Sequence, residues 1–303
     1  MFKKLKNVLK NPKLLMFYFT QNKISKIIPS IMFLKIRYKL RIGKKLDLRN
    51  PKTFNEKIQW LKLYDRKPQY TQLADKYEVR EYIKETIGEE YLIPLLGVYN
   101  KFDEINFDNL PEQFVLKPNH TSGDIYICKD KSTIDFVELK NKVNKWLKSR
   151  YYWRSREFPY KDIKPKIICE KYMVDESGTE LKDYKFMCFN GEVKCLFVCL
   201  NRVASTGLNV DFYDMDWCPM LFERHYKSSG TIIAKPKTFD KMVEFAKILS
   251  KNIPFVRVDF YDIEGKLYFG ELTFFPGNGM EEFTPESYDY LLGSWIQLPE
   301  KYK

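Results

Sequence analysis

The stretch RVDFYDIEGKLYFGELTFFPGNG, residues 257–279, determines how we interpret this chain. Apolar runs at 255–261 and 266–274 flank a turn at 262–265, a pattern that predicts an antiparallel hairpin. Counting back from the turn along the two strands, we expect Asp259 and Glu271 to approach each other across the hairpin. Two converging carboxylates among apolar residues need a counter-charge, and they suit Mg²⁺, which takes oxygen ligands. Strand alternation places them on one face with Arg257 and Thr273, so a solvated face stays open as the alternative.

A lysine ends another apolar strand earlier in the chain. In QFVLKPNHTSGD, residues 113–124, Lys117 precedes a polar turn that contains Ser122 and Gly123. The backbone N–H groups of such a turn can bind anions, although the Walker A pattern is absent. The arrangement predicts a phosphate contact, with a solvated lysine at a strand end as the alternative.

Three more polar residues lie at the ends of predicted strands. Glu170 lies near the end of the strand predicted at 166–173, where it could contact an adenine edge or a ribose. Asp183 and Lys185 begin the next strand and alternate with aromatic residues.

The remaining pattern predicts helices first and antiparallel hairpins afterwards. Thr53 and Glu56 form a capping box that begins a helix, and a second helix is predicted at 73–87. Helices are also predicted at 133–150 and 239–253. Asn190-Gly191 between two apolar runs is a strong hairpin signal. This order predicts an α+β fold.

The net charge of +12 is concentrated at the N-terminus. Residues 1–50 hold 14 Lys and Arg against one acidic residue, whereas the remainder is close to neutral. This distribution argues against a protein that binds nucleic acid over its whole surface. Residues 1–45 predict short basic helices broken near Pro12 and Pro29. These helices either lie on an anionic membrane face or pack on the body with solvated lysines.

Targeting signals and reactive centres are scarce. The N-terminal apolar runs are too short to span a bilayer and resemble no signal peptide, so we expect a cytoplasmic protein, with the inner membrane face as its peripheral alternative. The six cysteines lie mostly in apolar runs without a C-x-x-C pattern, which predicts buried free thiols. With only two histidines, a His-rich metal centre is not expected.

The order of these fragments resembles the ATP-grasp superfamily. The tail is similar to the magnesium-binding end of D-alanine–D-alanine ligase-type enzymes. At finer grain the chain resembles the TupA-like ATP-grasp family, associated with teichuronopeptide and surface-polysaccharide synthesis. The closer likeness rests on residues 50–57, 60–61, 75–76, 113–120, 183–186 and 274–285, and it runs from about residue 45 to 299.

The resemblance implies a fold and a division of the chain. The expected fold is an ATP-grasp fold, two α+β subdomains that clasp the nucleotide, preceded by a basic helical N-terminal region. The expected parts are a leader at 1–45, a helical pre-grasp region at 46–105, subdomain 1 at 106–175, and subdomain 2 with the magnesium-binding hairpin at 176–303.

The resemblance also implies which residues bind ATP. Lys117 would hold the α- and β-phosphates under a loop that contains His120, Ser122 and Gly123. Glu170, Tyr172 and Met173 would form the adenine hinge. Asp183 would meet the ribose or the metal–phosphate side, and Lys185 would contact the nucleotide. A packed loop histidine is the alternative for His120.

The magnesium site and the acyl-transfer chemistry follow from the same resemblance. Asp259 and Glu271 would hold one or two Mg²⁺ ions, and Arg257 would stabilise an acyl phosphate and the tetrahedral intermediate. The superfamily commonly has Asn where this chain has Thr273, a poorer ligand. Asn278 could supply the missing oxygen.

The implied activity is ATP-dependent carboxylate–amine ligation through an acyl phosphate. The expected acceptor is a uronic acid or amino-acid carboxylate on a surface polysaccharide or its lipid-linked precursor (capsule, O-antigen or teichuronopeptide). The expected amine donor is an amino acid or amino alcohol. Candidate acceptor contacts are Arg202, Asn209 and Arg224, with ordinary surface positions as their alternative. A glycosyltransferase of polysaccharide biosynthesis and a catalytically idle membrane-associated scaffold stay open as other functions.

Overall fold

The structure is a computed structural model that describes residues 23–175, 181–200 and 207–300. Its α-helices are α1 (Ser30–Ile42), α2 (Phe54–Tyr64), α3 (Gln69–Ala74), α4 (Val79–Thr86), α5 (Phe136–Lys148), α6 (Tyr152–Ser155), α7 (Phe239–Ser250) and α8 (Ser287–Trp295). Its strands are β1 (Leu95–Tyr99), β2 (Phe114–Pro118), β3 (Tyr126–Cys128), β4 (Ile167–Lys171), β5 (Asp183–Phe189), β6 (Glu192–Leu200), β7 (Asn209–Tyr213), β8 (Glu223–Arg224), β9 (Phe255–Ile263), β10 (Lys266–Thr273) and β11 (Phe283–Thr284).

The first sheet has four antiparallel strands in the order β1-β4-β2-β3. Strands β2 and β3 form the hairpin that the sequence predicts, with Phe114 opposite Cys128. Helix α5 buries Leu139, Val143 and Trp146 in a core shared with Phe114. Strand β1 pairs with β4, so this sheet begins before residue 106, the predicted start of subdomain 1.

The second sheet has five antiparallel strands in the order β10-β9-β5-β6-β7. Asn190 and Gly191, with φ of 53° and 85°, form the turn between β5 and β6. Two left-handed residues match the twist of the flanking strands, and the predicted hairpin is confirmed. Helix α7 packs on this sheet and buries Met242, Ala246 and Leu249 in the largest core cluster.

The helical front packs on this body rather than standing apart from it. Pro29 precedes α1, as predicted, whereas Pro12 lies outside the described residues. Phe33, Leu34 and Tyr38 of α1 are buried in a cluster with residues of the body. For this part of the leader, the structure therefore shows the packed alternative, while the opposite face of α1 stays exposed.

The helix predicted at 73–87 is wrong in one respect, because the structure has two helices there. Helix α3 ends at Ala74, and α4 begins at Val79. The Asp75 carboxylate accepts hydrogen bonds from the backbone N–H groups of Tyr77 and Glu78, and from the Asn119 amide. Such side chains compete with the helix for backbone groups, and here the competition interrupts it.

Helix α2 begins at the predicted capping box. The Thr53 hydroxyl accepts from the Glu56 N–H while the Glu56 carboxylate accepts from the Thr53 N–H. Helix α8 lies directly against this helix start, where the Asn55 N–H donates to Asp289. Strands β8 and β11 form a separate two-stranded sheet beside it.

The cysteines match the prediction of buried free thiols, with one exception. All six cysteines are free, and five are buried, the exception being the exposed Cys218. Within the described residues, every helix is too short or too polar to cross a bilayer.

Candidate active site

One cavity of about 520 Å³ lies where the two sheets face each other. This volume falls in the range of small-molecule sites. From the first sheet, the lining includes Lys117 of β2 and Ser122 of the turn that follows it. From the five-stranded sheet, it includes Lys185, Arg257 and Glu271. The cavity therefore contains residues from both fragments in which the sequence predicts chemistry.

The register of the second sheet orders the cavity floor. Glu271 pairs with Asp259, Asp259 with Lys185, Lys185 with Phe197, and Phe197 with Phe212. These five residues cross all five strands in one row, and all line the cavity. The floor is therefore charged on β10, β9 and β5, and aromatic on β6 and β7.

Asp259 is completely buried and accepts charged hydrogen bonds. Its Oδ1 lies 2.6 Å from Arg257 Nε, and its Oδ2 lies 2.6 Å from Arg257 Nη2 and also contacts Lys185 Nζ. A buried carboxylate is stable only with such partners. The solvated-face alternative is wrong for Asp259, and the predicted pairing with Glu271 across the hairpin is confirmed.

Glu271 joins the same cluster through Arg257 and Thr273. Its Oε1 lies 3.0 Å from Arg257 Nη2 and 3.0 Å from the Thr273 hydroxyl. Burial alone would raise the pKa of Glu271, but the charges of Lys76, Arg257 and Lys185 lower it to about 2. Glu271 is therefore a carboxylate at neutral pH.

Lys117 and Glu170 form an ion pair between β2 and β4. Lys117 Nζ lies 2.6 Å from Glu170 Oε2, and Arg80 Nη1 lies 3.6 Å from Glu170 Oε1. Lys117 also lines the cavity, whereas Glu170 does not. The structure therefore places Glu170 where it holds the Lys117 ammonium group.

The turn after β2 divides into a buried part and a part that faces the cavity. His120 is buried, with Nδ1 3.1 Å from Asn119 Oδ1 and Nε2 3.1 Å from the Trp146 carbonyl. Ser122 and Gly123 line the cavity. Gly123 has φ of 82°, a conformation that glycine adopts without strain. For His120 the geometry favours the packed alternative.

The remaining predicted residues lie at varying distances from this cavity. Arg224 lines it and is 4% exposed, so its surface alternative is wrong. The Asn278 side chain lies outside the lining, and its buried Oδ1 accepts no hydrogen bond from the described residues. At the start of β7, the Asn209 side chain donates hydrogen bonds to the Lys227 and Ser228 backbone carbonyls. Arg202 lies outside the described residues.

Asp183 lines the cavity beside Lys185, with 3.4 Å between Oδ2 and Nζ. The predicted hinge residues Tyr172 and Met173 follow β4 and do not line the cavity. Their adenine-binding role stays a prediction.

Sequence patterns alone do not predict two charged residues that line the cavity. Lys76 contributes its ammonium group to the Glu271 cluster and donates to the Thr121 carbonyl. Its only sequence signal is the Asp75-Lys76 pair within the family likeness. Glu281 follows the Pro-Gly turn at 276–277, and no spacing rule singles it out.

The charged side chains that line the cavity suit a nucleotide polyphosphate bound together with Mg²⁺. Lys76, Lys117, Lys185 and Arg257 supply positive side chains near the two carboxylates, and Asp259 and Glu271 give adjacent carboxylate oxygens. Within the described residues, no group of three or more His, Cys, Asp and Glu side chains has the arrangement of a metal site. Mg²⁺ commonly binds through one or two carboxylates together with substrate phosphates, so two carboxylates suffice.

A family model described as TupA-like ATPgrasp matches residues 56–297. The chain belongs to the TupA-like ATP-grasp family. Its α+β architecture is the ATP-grasp fold that the sequence predicts. No curated protein matches the chain.

Solved structures similar to this TupA-like chain include two ligases. D-alanine–D-alanine ligase from Bacillus anthracis is 15% identical, with a TM-score of 0.43 over 80% of this chain and 67% of that one. The same enzyme complexed with ATP is 17% identical, with a TM-score of 0.40 over 67% and 55%. The ATP-grasp ligase PsnB complexed with minimal precursor, Mg and ADP is 11% identical, with a TM-score of 0.38 over 82% and 65%. The chain thus spans between about half and two thirds of their lengths.

Proposed function

We propose that this protein is an ATP-dependent carboxylate–amine ligase. The observation that carries the proposal is the charged half of the cavity floor. There, the buried Asp259 and neighbouring Glu271 face Lys185 and Arg257, and Lys117 approaches from the opposite sheet. Membership of an ATP-grasp family supports the same conclusion.

The proposed reaction has two steps. An oxygen of the acceptor carboxylate attacks the γ-phosphorus of ATP, the bond to the β-phosphate oxygen breaks, and ADP leaves. The amine nitrogen then attacks the acyl carbon, inorganic phosphate leaves, and the nitrogen loses a proton as the amide forms. Neither reaction step needs a protein nucleophile. The protein therefore contributes by positioning the substrates and stabilising charge.

The charged residues at one end of the cavity have separate roles in this scheme. Lys117 and Lys185 neutralise the phosphates, and Glu170 holds the Lys117 ammonium group in place. Arg257 stabilises the negative charge that develops on the acyl phosphate. Because Asp259 outweighs the effect of burial, the pKa of the Arg257 guanidinium is raised, and it stays protonated. Mg²⁺ held by Asp259 and Glu271 would neutralise charge on the transferred phosphoryl group.

The loop at Ser122 and Gly123 lines one side of the cavity. An acyl phosphate hydrolyses if water reaches it, so this loop excludes water during the second step. His120, packed against the α5 carbonyl of Trp146, anchors the start of the loop.

We further propose a place for this activity in surface-glycan assembly. The acceptor is a uronic acid or amino-acid carboxylate on a polysaccharide or its lipid-linked precursor. The support is the family likeness together with the excess of Lys and Arg in the first 45 residues, which suits the inner face of an anionic membrane. The protein is then cytoplasmic and peripheral.

The glycosyltransferase alternative depends on a D-x-D pattern. Asp214-Met215-Asp216 has this spacing, but Asp214 Oδ1 accepts hydrogen bonds from the backbone N–H groups of Asp216 and Cys218. These residues form a turn after β7 and do not line the cavity. The pattern therefore has a structural explanation and does not favour that function.

The test is ADP and phosphate release from MgATP, with uronic acids and uronate glycans as acceptors and amines as donors. We expect turnover that needs both substrates and falls at least about a hundredfold in Asp259→Asn and Lys117→Met, since one preorganised charged group contributes that much. Lys145→Met, at an exposed lysine of α5 outside the cavity lining, is the matched control. Turnover that survives in both cavity variants would contradict the proposal.

A further inference from the structure

The cavity has a second end that the phosphate chemistry does not use. Phe197, Val210 and Phe212 form its floor on β6 and β7, and Arg224 and Glu281 stand beside them. An apolar floor next to one cation and one anion is unlike the charged half of the same cavity. It matches a ligand with an organic body and two opposite charges.

Arg224 is held rigidly at this end. Its Nη2 donates to the Pro276 carbonyl at 2.7 Å and lies 3.1 Å from Glu281 Oε2. Its guanidinium carbon lies 5.2 Å from the centre of the Phe54 ring and 5.5 Å from that of Phe283. Among the described residues, no group accepts a hydrogen bond from its buried Nε. The guanidinium is thus positioned by packing and retains unused donor capacity.

Glu281 reaches the cavity because residue 277 is a glycine. A Cβ at Gly277 would lie 2.1 Å from the Glu281 carboxyl carbon, so any side chain there would displace the carboxylate. Gly277 also has φ of 57°, which glycine adopts without strain. The turn therefore leaves space for an acidic group at the wall of the cavity.

Both members of this ion pair line the cavity, although Arg224 also packs on core aromatic rings. A ligand that carries a carboxylate and an ammonium group can displace the Glu281 carboxylate from Arg224 and insert between the two, because it replaces one ion pair by two. Charged hydrogen bonds of this kind are among the strong ones, and a partly buried site screens them little.

We propose that this end of the cavity binds the amine donor as an α-amino acid zwitterion, with its carboxylate on Arg224 and its ammonium on Glu281. The inference rests on the proposed ligase function and deepens it, because it selects an amino acid over an amino alcohol. The amino acid side chain then packs on Phe197 and Phe212. Before it attacks, the ammonium gives one proton to the Glu281 carboxylate, and the neutral amine lies in the same cavity as Arg257, where the acyl phosphate forms.

The test is calorimetric binding to the full chain in the presence of MgADP. The probes are the standard α-amino acids, each compared with the amino alcohol that has the same side chain. We expect at least one amino acid to bind saturably and its amino alcohol to bind at least about tenfold more weakly, because the alcohol lacks the carboxylate. An amino alcohol that binds as tightly as its amino acid, or no binding by any amino acid, would overturn the proposal.

A variant pair separates charge recognition from structural effects. Glu281→Gln should weaken amino acid binding at least about tenfold, whereas Glu282→Gln, at the exposed neighbouring position outside the cavity lining, should leave it within about twofold. Equal binding by the two variants would overturn the proposal. The affinity for MgADP is measured for each protein. If the folded wild type binds no MgADP, the ligase function fails as well, whereas retained MgADP binding confines a failure to the donor site.

Discussion

The ammonium group of Lys62 is completely buried on α2 and holds a turn that lines the active cavity. Its Nζ donates to the Asn278 carbonyl at 2.7 Å, and Gln59 donates to the same carbonyl at 2.8 Å. Asn278 has φ of 59°, so these donors fix a left-handed residue between Gly277 and Gly279. A residue far from the chemistry in sequence thus sets the position of the cavity wall.

This burial predicts a pH dependence of stability. Burial lowers the pKa of Lys62 to about 7, so between about pH 7 and 10.5 the folded state binds fewer protons at this residue than the unfolded state. Its contribution to stability is therefore greatest above pH 10.5 and falls as the pH decreases towards 7. Chemical denaturation of wild type and Lys62→Met at pH 7 and pH 10 checks this.

We expect the wild type to gain unfolding free energy relative to Lys62→Met as the pH rises. The exposed Lys52→Met is the control, and its difference from wild type should stay constant. A constant difference for Lys62→Met as well would contradict the assignment.

At the scale of elements, α8 approaches α2 so closely that only a glycine fits. A Cβ at Gly293 would lie 2.3 Å from the Lys52 carbonyl oxygen and 2.6 Å from the Phe54 backbone nitrogen. Both are backbone atoms at the capped start of α2, so neither moves without disturbing the helix N-terminus. This contact fixes the position of α2, and with it Gln59 and Lys62.

Gly293→Ala should lower the free energy of unfolding by about 1–3 kcal/mol, the usual cost of overpacking. The control is Ser294→Ala at the next, exposed position, which should change it by no more than about 0.5 kcal/mol. Urea denaturation of the two variants measures both values. Equal free energies of unfolding for the two variants would contradict this prediction, because they would show that α8 moves away from α2 without loss of stability.

Sequence patterns predict the local contacts of this site and miss the distant ones. The capping box, the Asn190-Gly191 turn and the pairing of Asp259 with Glu271 are all determined within a few residues of a helix start or a turn. The charge of Lys76 acts on Glu271, and Lys62 binds Asn278, only because the helical front folds over the second sheet. Helical periodicity identifies a buried face but does not identify which turn that face will contact.

At the scale of the whole molecule, the basic N-terminal part is both a packed element and a charged face. Helix α1 buries Phe33 and Leu34, so removing it would uncover the body. Its opposite side exposes Ile31 and Met32 beside Lys35 and Lys39. Apolar residues flanked by lysines fit an anionic lipid surface, and this contact stays a prediction.

Charge reversal tests this face without unfolding the helix. Since each basic residue near an anionic surface contributes about 1 kcal/mol, the pair Lys35→Glu and Lys39→Glu should weaken vesicle binding at least about tenfold. The pair Lys145→Glu and Lys148→Glu on the exposed face of α5 is the control with equal net charge. Co-sedimentation with vesicles of anionic lipid measures both, and equal loss in the two pairs would exclude a specific face.

The proposed ligase function requires that the charged half of the cavity binds a nucleotide together with Mg²⁺. The most direct measurement is calorimetric titration of the folded full-length protein with ATP, with Mg²⁺ and with EDTA in its place. We expect saturable binding that weakens at least about tenfold without Mg²⁺ and in Asp259→Asn, and that persists in Lys145→Met. Absence of ATP binding by the folded wild type, or ATP binding unchanged in Asp259→Asn, would contradict the proposed function.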